Sequence, residues 1–395
     1  MKRAIHYTQD MEMEYRPFGK LGWEVSPLGF GAMRLPVLGE GTNNIDEELA
    51  IHMVREAINA GVNYIDTAYP YHGGNNEECV GRILKDGYRD KVKLATKLPL
   101  WFVETRDDFS RFLDTQLKKL QTDSVDLYLL HALNAESWEK TKRLKLLDAA
   151  EKAKDEGLIK HFGFSFHDSY SVFEEILDGY DNWEFCQIQY NFMDTDFQAG
   201  RRGLHAAARR GLPVVIMEPL KGGLIAAPPP EAVKPLWEKL GADFSTDRND
   251  HVDLALQWLW DQPEVTVVLS GMSTPRQLQQ NLKSAVRSSG FHFTDAQNRI
   301  FAELRTRYSS LRRVDCTACR YCMPCPNGVN IPRTLQLYNE LFMYGDDSQP
   351  RRVYNVVYNP SERADNCIEC GECEEKCPQH IPIMESLKKA HALLK

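Results

Sequence analysis

Eight short, apolar, β-rich runs recur between residues 26 and 271: "SPLGFGA", "VNYIDTA", "VKLATKL", "VDLYLLHA", "IKHFGFS", "EFCQIQY", "LPVVIME" and "VTVVLSG". The stretches between them, such as "EELAIHMVREAINAG", "NEECVGRILKDG" and "SWEKTKRLKLLDAAEKAKDEG", are apolar at i, i+3 and i+4. Several of them close on glycine, as helix ends commonly do. Strands this continuously apolar are buried on both faces, which is the condition of a parallel sheet. Eight strand–helix units in series therefore predict an α/β fold of the (β/α)8 TIM-barrel type. A doubly wound sheet would carry a GxGxxG turn after its first strand, and none follows it here. Ahead of the first strand, "MEYRPFGKLGWEVS" reads as a hairpin that turns at Gly19-Lys20 and plugs the barrel bottom. The last connection, from about residue 218 to about 264, reads as long and helical, with "APPPEAVKP" as a surface excursion.

Barrels of this kind place their chemistry at the C-terminal strand ends. Those ends are Asp66, Lys97, His131, Ser165, Gln187 and Gly271, and Tyr71 follows Asp66 by five residues. A buried lysine or aspartate is rare without a partner. Taken singly, a structural Asp–Lys pair and a core histidine explain these residues as well as a reaction does. Taken together, at successive strand tops, they point into one shared mouth.

The stretches "PLGFGAMRLP", "YIDTAYPYHGGNNEECVG", "LATKL", "DLYLLH", "GFSFHD", "QIQYN", "MEPLKGG" and "GMSTPRQLQQNL" stand at these strand ends. Their order makes residues 14–290 resemble the aldo-keto reductase superfamily. The resemblance implies a catalytic tetrad of Asp66, Tyr71, Lys97 and His131. Tyrosine ordinarily titrates near 10, so a cation beside it, Lys97, is expected to make the phenol a better donor to a developing alkoxide. Asp66 balances the lysine, and His131 orients the carbonyl. Tyr69 is the rival phenol, at a spacing from Asp66 that the family pattern does not use. The resemblance also implies NADP or NAD, held by Ser165, Gln187, Met217, Gly271, Arg276, Gln280 and Asn281. Departures accompany it: Phe166, followed by His167, stands where the family has an asparagine, Met217 where it has an aromatic ring, and Gln280 where it has a glutamate. Arg276 reads equally well as a solvated helix charge. Leu98, Trp101 and Phe102 line an apolar substrate pocket or seat the C-terminal domain.

Eight of the ten cysteines lie between residues 316 and 377. Cys316, Cys319, Cys322 and Cys325 precede Pro326; Cys367, Cys370, Cys373 and Cys377 precede Pro378. The second run is the C-x2-C-x2-C-x3-C-P of two-cluster bacterial ferredoxins. Zinc favours pairs of ligands from separate knuckles, and a reducing compartment disfavours disulfides. An internal repeat, "CPNGVNIPRTLQLYNE" and "CPQHIPIMESLKKAHA", leads each time into an amphipathic helix. Residues 312–395 thus resemble a small, mainly helical ferredoxin-type domain with two 4Fe–4S clusters. Exchange of fourth ligands, as in those ferredoxins, joins Cys316, Cys319 and Cys322 to Cys377, and Cys367, Cys370 and Cys373 to Cys325. Cys79 and Cys186 read as small buried hydrophobes.

A net charge of −8 gives no reason to expect nucleic acid or an anionic membrane as partner. The basic N-terminus lacks the apolar run of a secretory signal, and no run reaches spanning length. The expectation is a cytoplasmic oxidoreductase that interconverts a carbonyl compound and an alcohol. Its clusters would exchange single electrons with a ferredoxin or flavoprotein partner. The alternatives are a nicotinamide-binding redox sensor and an electron bridge with little carbonyl turnover.

Overall fold

A computed structural model describes residues 13–39, 43–245 and 249–395. The extreme N-terminus, on which the signal-peptide reading falls, lies outside them. The described chain divides into two compact units, Met1–Pro219 with Ala255–His292, and Leu220–Leu254 with Phe293–Lys395. Among the described residues no helix is long and apolar enough to cross a membrane.

The first unit opens on a hairpin of β1 (Arg16–Pro17) and β2 (Glu24–Val25). Eight strands follow: β3 (Leu28–Gly31), β4 (Tyr64–Asp66), β5 (Lys93–Leu98), β6 (Val125–Leu133), β7 (Ile159–Phe166), β8 (Phe185–Gln189), β9 (Val214–Met217) and β10 (Val265–Ser270). They close in chain order into a parallel barrel, with β10 pairing β3. All eight expected strands are present.

Side chains alternate across a strand, and the interior cluster fixes the phase. Tyr64, Ala95, Leu127, Leu129, Phe185, Val215, Val267 and Leu269 pack together inside the barrel. Residues two positions further along share that phase, which turns Asp66, Lys97, His131, Gln187, Met217 and Gly271 toward the axis at the C-terminal end. On β7, Phe162, Phe164 and Phe166 face outward, against Trp183 and Phe173, leaving Ser165 on the inner face.

The hairpin closes the bottom. Phe18 and Val25 belong to the interior cluster and are fully buried. Phe18 stacks on Trp23 with ring centroids 4.3 Å apart and lies 6.2 Å from Tyr64. Gly19 has φ +56, and a Cβ there would meet Pro213 Cδ at 2.7 Å, so only glycine fits the turn. Arg16 Nη1 donates to the Val265 carbonyl at 3.0 Å. Phe18→Ala should therefore destabilise the barrel by about 3–5 kcal/mol, read as a lowered denaturant midpoint. A midpoint within error of wild type would show that the plug contributes nothing.

One expected helix is broken. "SWEKTKRLKLLDAAEKAKDEG" forms Ala135–Arg143 and Leu146–Asp155, with Lys145 at φ +53 between them. The break re-aims the apolar stripe: Trp138 faces Trp183, while Leu146, Ala150 and Ala153 are buried from the second segment. Cys79 and Cys186 are both fully buried, and burial pushes the Cys79 thiol up to about 12.

In the second unit, Trp237 Nε1 donates to the Tyr308 hydroxyl at 3.1 Å, tying the excursion to helix Asp295–Ser309. Beyond that helix, Ile331–Met343 and Ile383–Leu394 pack through Leu335, Leu387 and Leu394. Buried Asn339 accepts from the backbone N–H groups of Arg313 and Val314 at 2.9 and 3.0 Å and donates to the Val314 carbonyl at 2.8 Å. That clamp fixes the chain two residues before the first cysteine.

Candidate active site and metal centre

Because the strands share one phase, the top of the barrel interior is a polar ring above an apolar core. Lys97, 1% exposed, donates from Nζ to Asp66 Oδ1 at 2.5 Å and to the Thr67 carbonyl at 2.8 Å. Its ammonium lies 5.3 Å from the Tyr71 ring centroid. Burial alone would push the ammonium's pKa down; Asp66 and Tyr71 outweigh it and hold Lys97 above the ordinary lysine value. The cation is therefore permanent at physiological pH.

Tyr71 and His131 meet edge to face with centroids 6.1 Å apart. Tyr69 turns elsewhere: its ring packs on Phe112 at 5.2 Å and carries Lys119 Nζ at 4.7 Å. The phenol beside Lys97 is thus Tyr71. Its acidity differs from the sequence expectation. Burial raises the Tyr71 pKa, and the opposing pull of Lys97 offsets that only in part, with Asp66 and Glu218 adding to the rise. The expected lowering rested on one charge and left out the loss of water around the phenol. Burial, helped by Lys97 and His167, holds the His131 imidazole well below the ordinary range, so it is neutral.

Behind this ring lies a network that the sequence reading did not single out. Glu77 Oε1 accepts from Thr96 Oγ1 and from Gln116 Nε2, both at 2.6 Å. Gln116 Nε2 also donates to the Lys97 carbonyl at 3.0 Å, and the Tyr128 hydroxyl donates to Gln116 Oε1 at 2.7 Å. All four side chains are fully buried. They anchor the backbone of the lysine from outside the barrel wall. The signal was present in the "NNEECVG" that follows the tyrosine.

The residues expected to hold nicotinamide take several positions. Gln187 is buried, and its Oε1 has no partner, as is true of His131 Nδ1. Orphaned buried polar atoms at the tops of β6 and β8, with β7 between them, fit a ligand carrying amide or carbonyl groups. Ser165 Oγ is engaged, accepting from the Ala132 N–H at 2.8 Å where β6 bulges beyond His131. Phe166 packs on Phe173 at 5.0 Å, so the family's asparagine position faces the helical layer rather than the mouth. Met217 is half-buried at the end of β9, and Glu218 follows in a left-handed conformation with φ +53. Gly271 is exposed at the top of β10, where a Cβ would press on Arg34 at 3.1 Å. Helix Pro275–Val286 begins there with a capping box, and Asn281 donates to Ser270 Oγ at 2.8 Å. Arg276 is exposed on that helix, and Gln280 is half-buried. Leu98, the last residue of β5, is buried, whereas Trp101 in the following loop has its ring 4.9 Å from His131. Phe102 sits 6.2 Å from Tyr69.

In the second unit the cysteines line two cavities. One takes Cys316, Cys319, Cys322 and Cys377; the other takes Cys325, Cys367, Cys370 and Cys373, with Cys322 at its edge. The two loops repeat one backbone course. Residues two and four places after the first cysteine are left-handed in both: Ala318 and Arg320 with φ +56 and +66, and Glu369 and Gly371 with φ +56 and +81. In the first loop this course brings the Ala318 backbone N–H to the Cys316 sulfur. Burial and neighbouring thiols, Cys319 and Cys377, raise the Cys316 pKa. Crowded thiols of this kind become thiolates beside a cationic centre. Among the described residues no three His, Cys, Asp or Glu side chains converge on a point, as a single ion would require. Zinc sits about 2.3 Å from each sulfur and so needs its ligands gathered on one point; four cysteines around each cavity are the ligand count of a 4Fe–4S cluster.

A model of the aldo/keto reductase family matches residues 27–304, and a 4Fe-4S dicluster domain model matches 315–381. L-galactose dehydrogenase of Arabidopsis thaliana is 27% identical over 293 residues, which cover 69% of this chain and 88% of that protein. The holo form of an aldo-keto reductase from Bacillus halodurans is 28% identical with a TM-score of 0.60, covering 74% of this chain and 96% of its own. An aldo-keto reductase from Klebsiella pneumoniae, solved in complex with NADPH, shares the fold at 22% identity, with a TM-score of 0.58, covering 75% of this chain and 96% of its own.

Proposed function

The chain belongs to the aldo/keto reductase family, and on that premise we propose that it interconverts a carbonyl compound and an alcohol with NADP(H) or NAD(H), in the cytoplasm. The observation that carries this reading is Lys97, held as a cation by Asp66 at 2.5 Å and set against the Tyr71 ring beneath a neutral His131.

Bound nicotinamide supplies or accepts the hydride. The chain's own residues manage the proton and the charge. As the carbonyl oxygen gains negative charge, the Tyr71 hydroxyl gives it a proton, since an alkoxide is far more basic than a phenolate. Tyrosine ordinarily titrates near 10 and burial raises Tyr71 further, so the phenol is protonated at neutral pH and the proton is in place before the reaction begins. Lys97 then stabilises the phenolate left behind, in a site from which water is excluded. His131 donates to the same oxygen and orients it, which its neutral state permits. Gln187 Oε1, buried and without a partner, is the natural acceptor for the nicotinamide carboxamide N–H. Trp101 borders the space above His131 and gives the substrate an apolar wall.

In the second unit, the two cysteine sets would each hold a 4Fe–4S cluster, which moves one electron at a time. A ferredoxin or flavoprotein is the corresponding partner.

NADPH deuterated at C4, incubated with a panel of aldehydes and ketones, tests the hydride reading. Deuterium should appear on the carbinol carbon of the product by mass spectrometry. Absence of deuterium from every product, with the folded and cluster-loaded protein, would overturn it.

A further inference from the structure

We propose that the corner of the cluster unit formed by Cys319, Arg320 and Tyr321 is where an acidic one-electron carrier protein docks. The proposal rests on the reading of the cysteines as cluster ligands and goes beyond it by naming the face and the charge of the partner.

Electron transfer weakens steeply with distance, so a partner must approach a cluster where a ligand reaches solvent. Of the eight cysteines, Cys319 and Cys370 are exposed, one from each set, while the others are half-buried or buried. Each cavity thus has a single open corner. The two corners differ in charge. From residue 312 to 322 the chain carries Arg312, Arg313 and Arg320 against Asp315. From 367 to 376 it carries Glu369, Glu372, Glu374 and Glu375 against Lys376.

The acidic corner is partly neutralised within the unit. Lys388 pairs with Glu369 at 2.7 Å, and Lys376 with Glu372 at 3.1 Å. Arg320, exposed beside Cys319, forms no ion pair among the described residues, so its charge is available to a partner. Tyr321 next to it is 67% exposed. Tyrosine and arginine are each enriched at interface hot spots, the one giving apolar area and the other charge recognition. A basic corner steers an anionic partner and repels a cationic one. The step is a single-electron exchange: the carrier's reduced centre loses one electron, the cluster gains it, and no bond or proton changes hands.

The test uses the cluster-loaded full chain, with iron and sulfide content and the EPR spectrum of the dithionite-reduced state measured first. Those measurements judge the cluster reading separately from the docking corner. Two donors are then mixed with the oxidised protein in a stopped-flow spectrometer: a reduced plant-type ferredoxin as the acidic probe, and reduced methyl viologen as the cationic one. Cluster bleaching by ferredoxin should slow about tenfold in Arg320→Glu at low salt, the lower end of electrostatic steering effects. In wild type the same rate should fall as salt rises, while bleaching by methyl viologen should not slow in the variant. Equal slowing of both donors would overturn the proposal. So would a ferredoxin rate indifferent both to the substitution and to salt.

Discussion

Tyr71→Phe should lower carbonyl turnover by about 10²–10⁴-fold, the usual worth of a positioned general acid, and should leave cofactor binding nearly unchanged. Phenylalanine keeps the ring that packs against His131 at 6.1 Å and loses only the hydroxyl. The lysine keeps its partner, because Nζ is held by Asp66 and the Thr67 carbonyl independently of the phenol. Tyr69→Phe is the matched comparison. Its ring is engaged with Phe112 and Lys119, and it should retain turnover within a few-fold of wild type. Steady-state kinetics with one good carbonyl substrate, plus nucleotide binding followed by fluorescence, distinguish the two. A fully active Tyr71→Phe beside an inactive Tyr69→Phe would transfer the acid role to Tyr69.

Single cysteine replacements should remove whole clusters, and they should do so in crossed sets. The loaded chain is expected to hold about eight irons and eight sulfides, since each 4Fe–4S cluster takes four thiolates. Cys370→Ser should remove one EPR signal and roughly half of the iron. Cys325→Ser should affect that same signal, although Cys325 lies 45 residues earlier in the chain, because both line one cavity. Cys377→Ser, only four residues after Cys373, should instead affect the signal lost in Cys319→Ser. Grouping by sequence proximity predicts the opposite pairing, in which Cys377→Ser and Cys370→Ser share a phenotype. That outcome, or zinc without acid-labile sulfide after anaerobic purification, would refute the crossed sets.

The parts of this molecule legible in the sequence are those governed by period. Continuously apolar runs located the strands. Alternation along them, which puts the strand ends in the phase of Tyr64, Ala95, Leu129 and Phe185, brings Asp66, Lys97 and His131 into one ring. The same rule applied to β7 turns Phe166 outward to Phe173, a departure visible from sequence but not its direction, which depends on the helix that fills the outer layer. The break at Lys145 was hidden because lysine carries no signal for a left-handed residue, and tertiary packing of Trp138 sets it. The left-handed positions at Ala318, Arg320 and Glu369 were hidden likewise, with Gly371 the one glycine among them. The Tyr71 pKa required knowing how much water the site excludes, which no motif records. The grouping of Leu220–Leu254 with the C-terminal helices rests on non-local contacts such as Trp237 to Tyr308.

On the function proposed above, one chain would carry a hydride-transfer barrel and a two-cluster module without direct exchange between nicotinamide and cluster. Nicotinamide gives up electrons in pairs, a 4Fe–4S centre takes them singly, and a carrier able to do both, ordinarily a flavin, must stand between them. The sequence holds no recognisable flavin motif. The measurement is anaerobic mixing of the flavin-free, cluster-loaded protein with stoichiometric NADPH, followed by visible absorption and EPR. The clusters should stay oxidised on the timescale of carbonyl turnover and bleach when dithionite is added. Rapid bleaching by NADPH alone would show that nicotinamide and cluster exchange electrons directly.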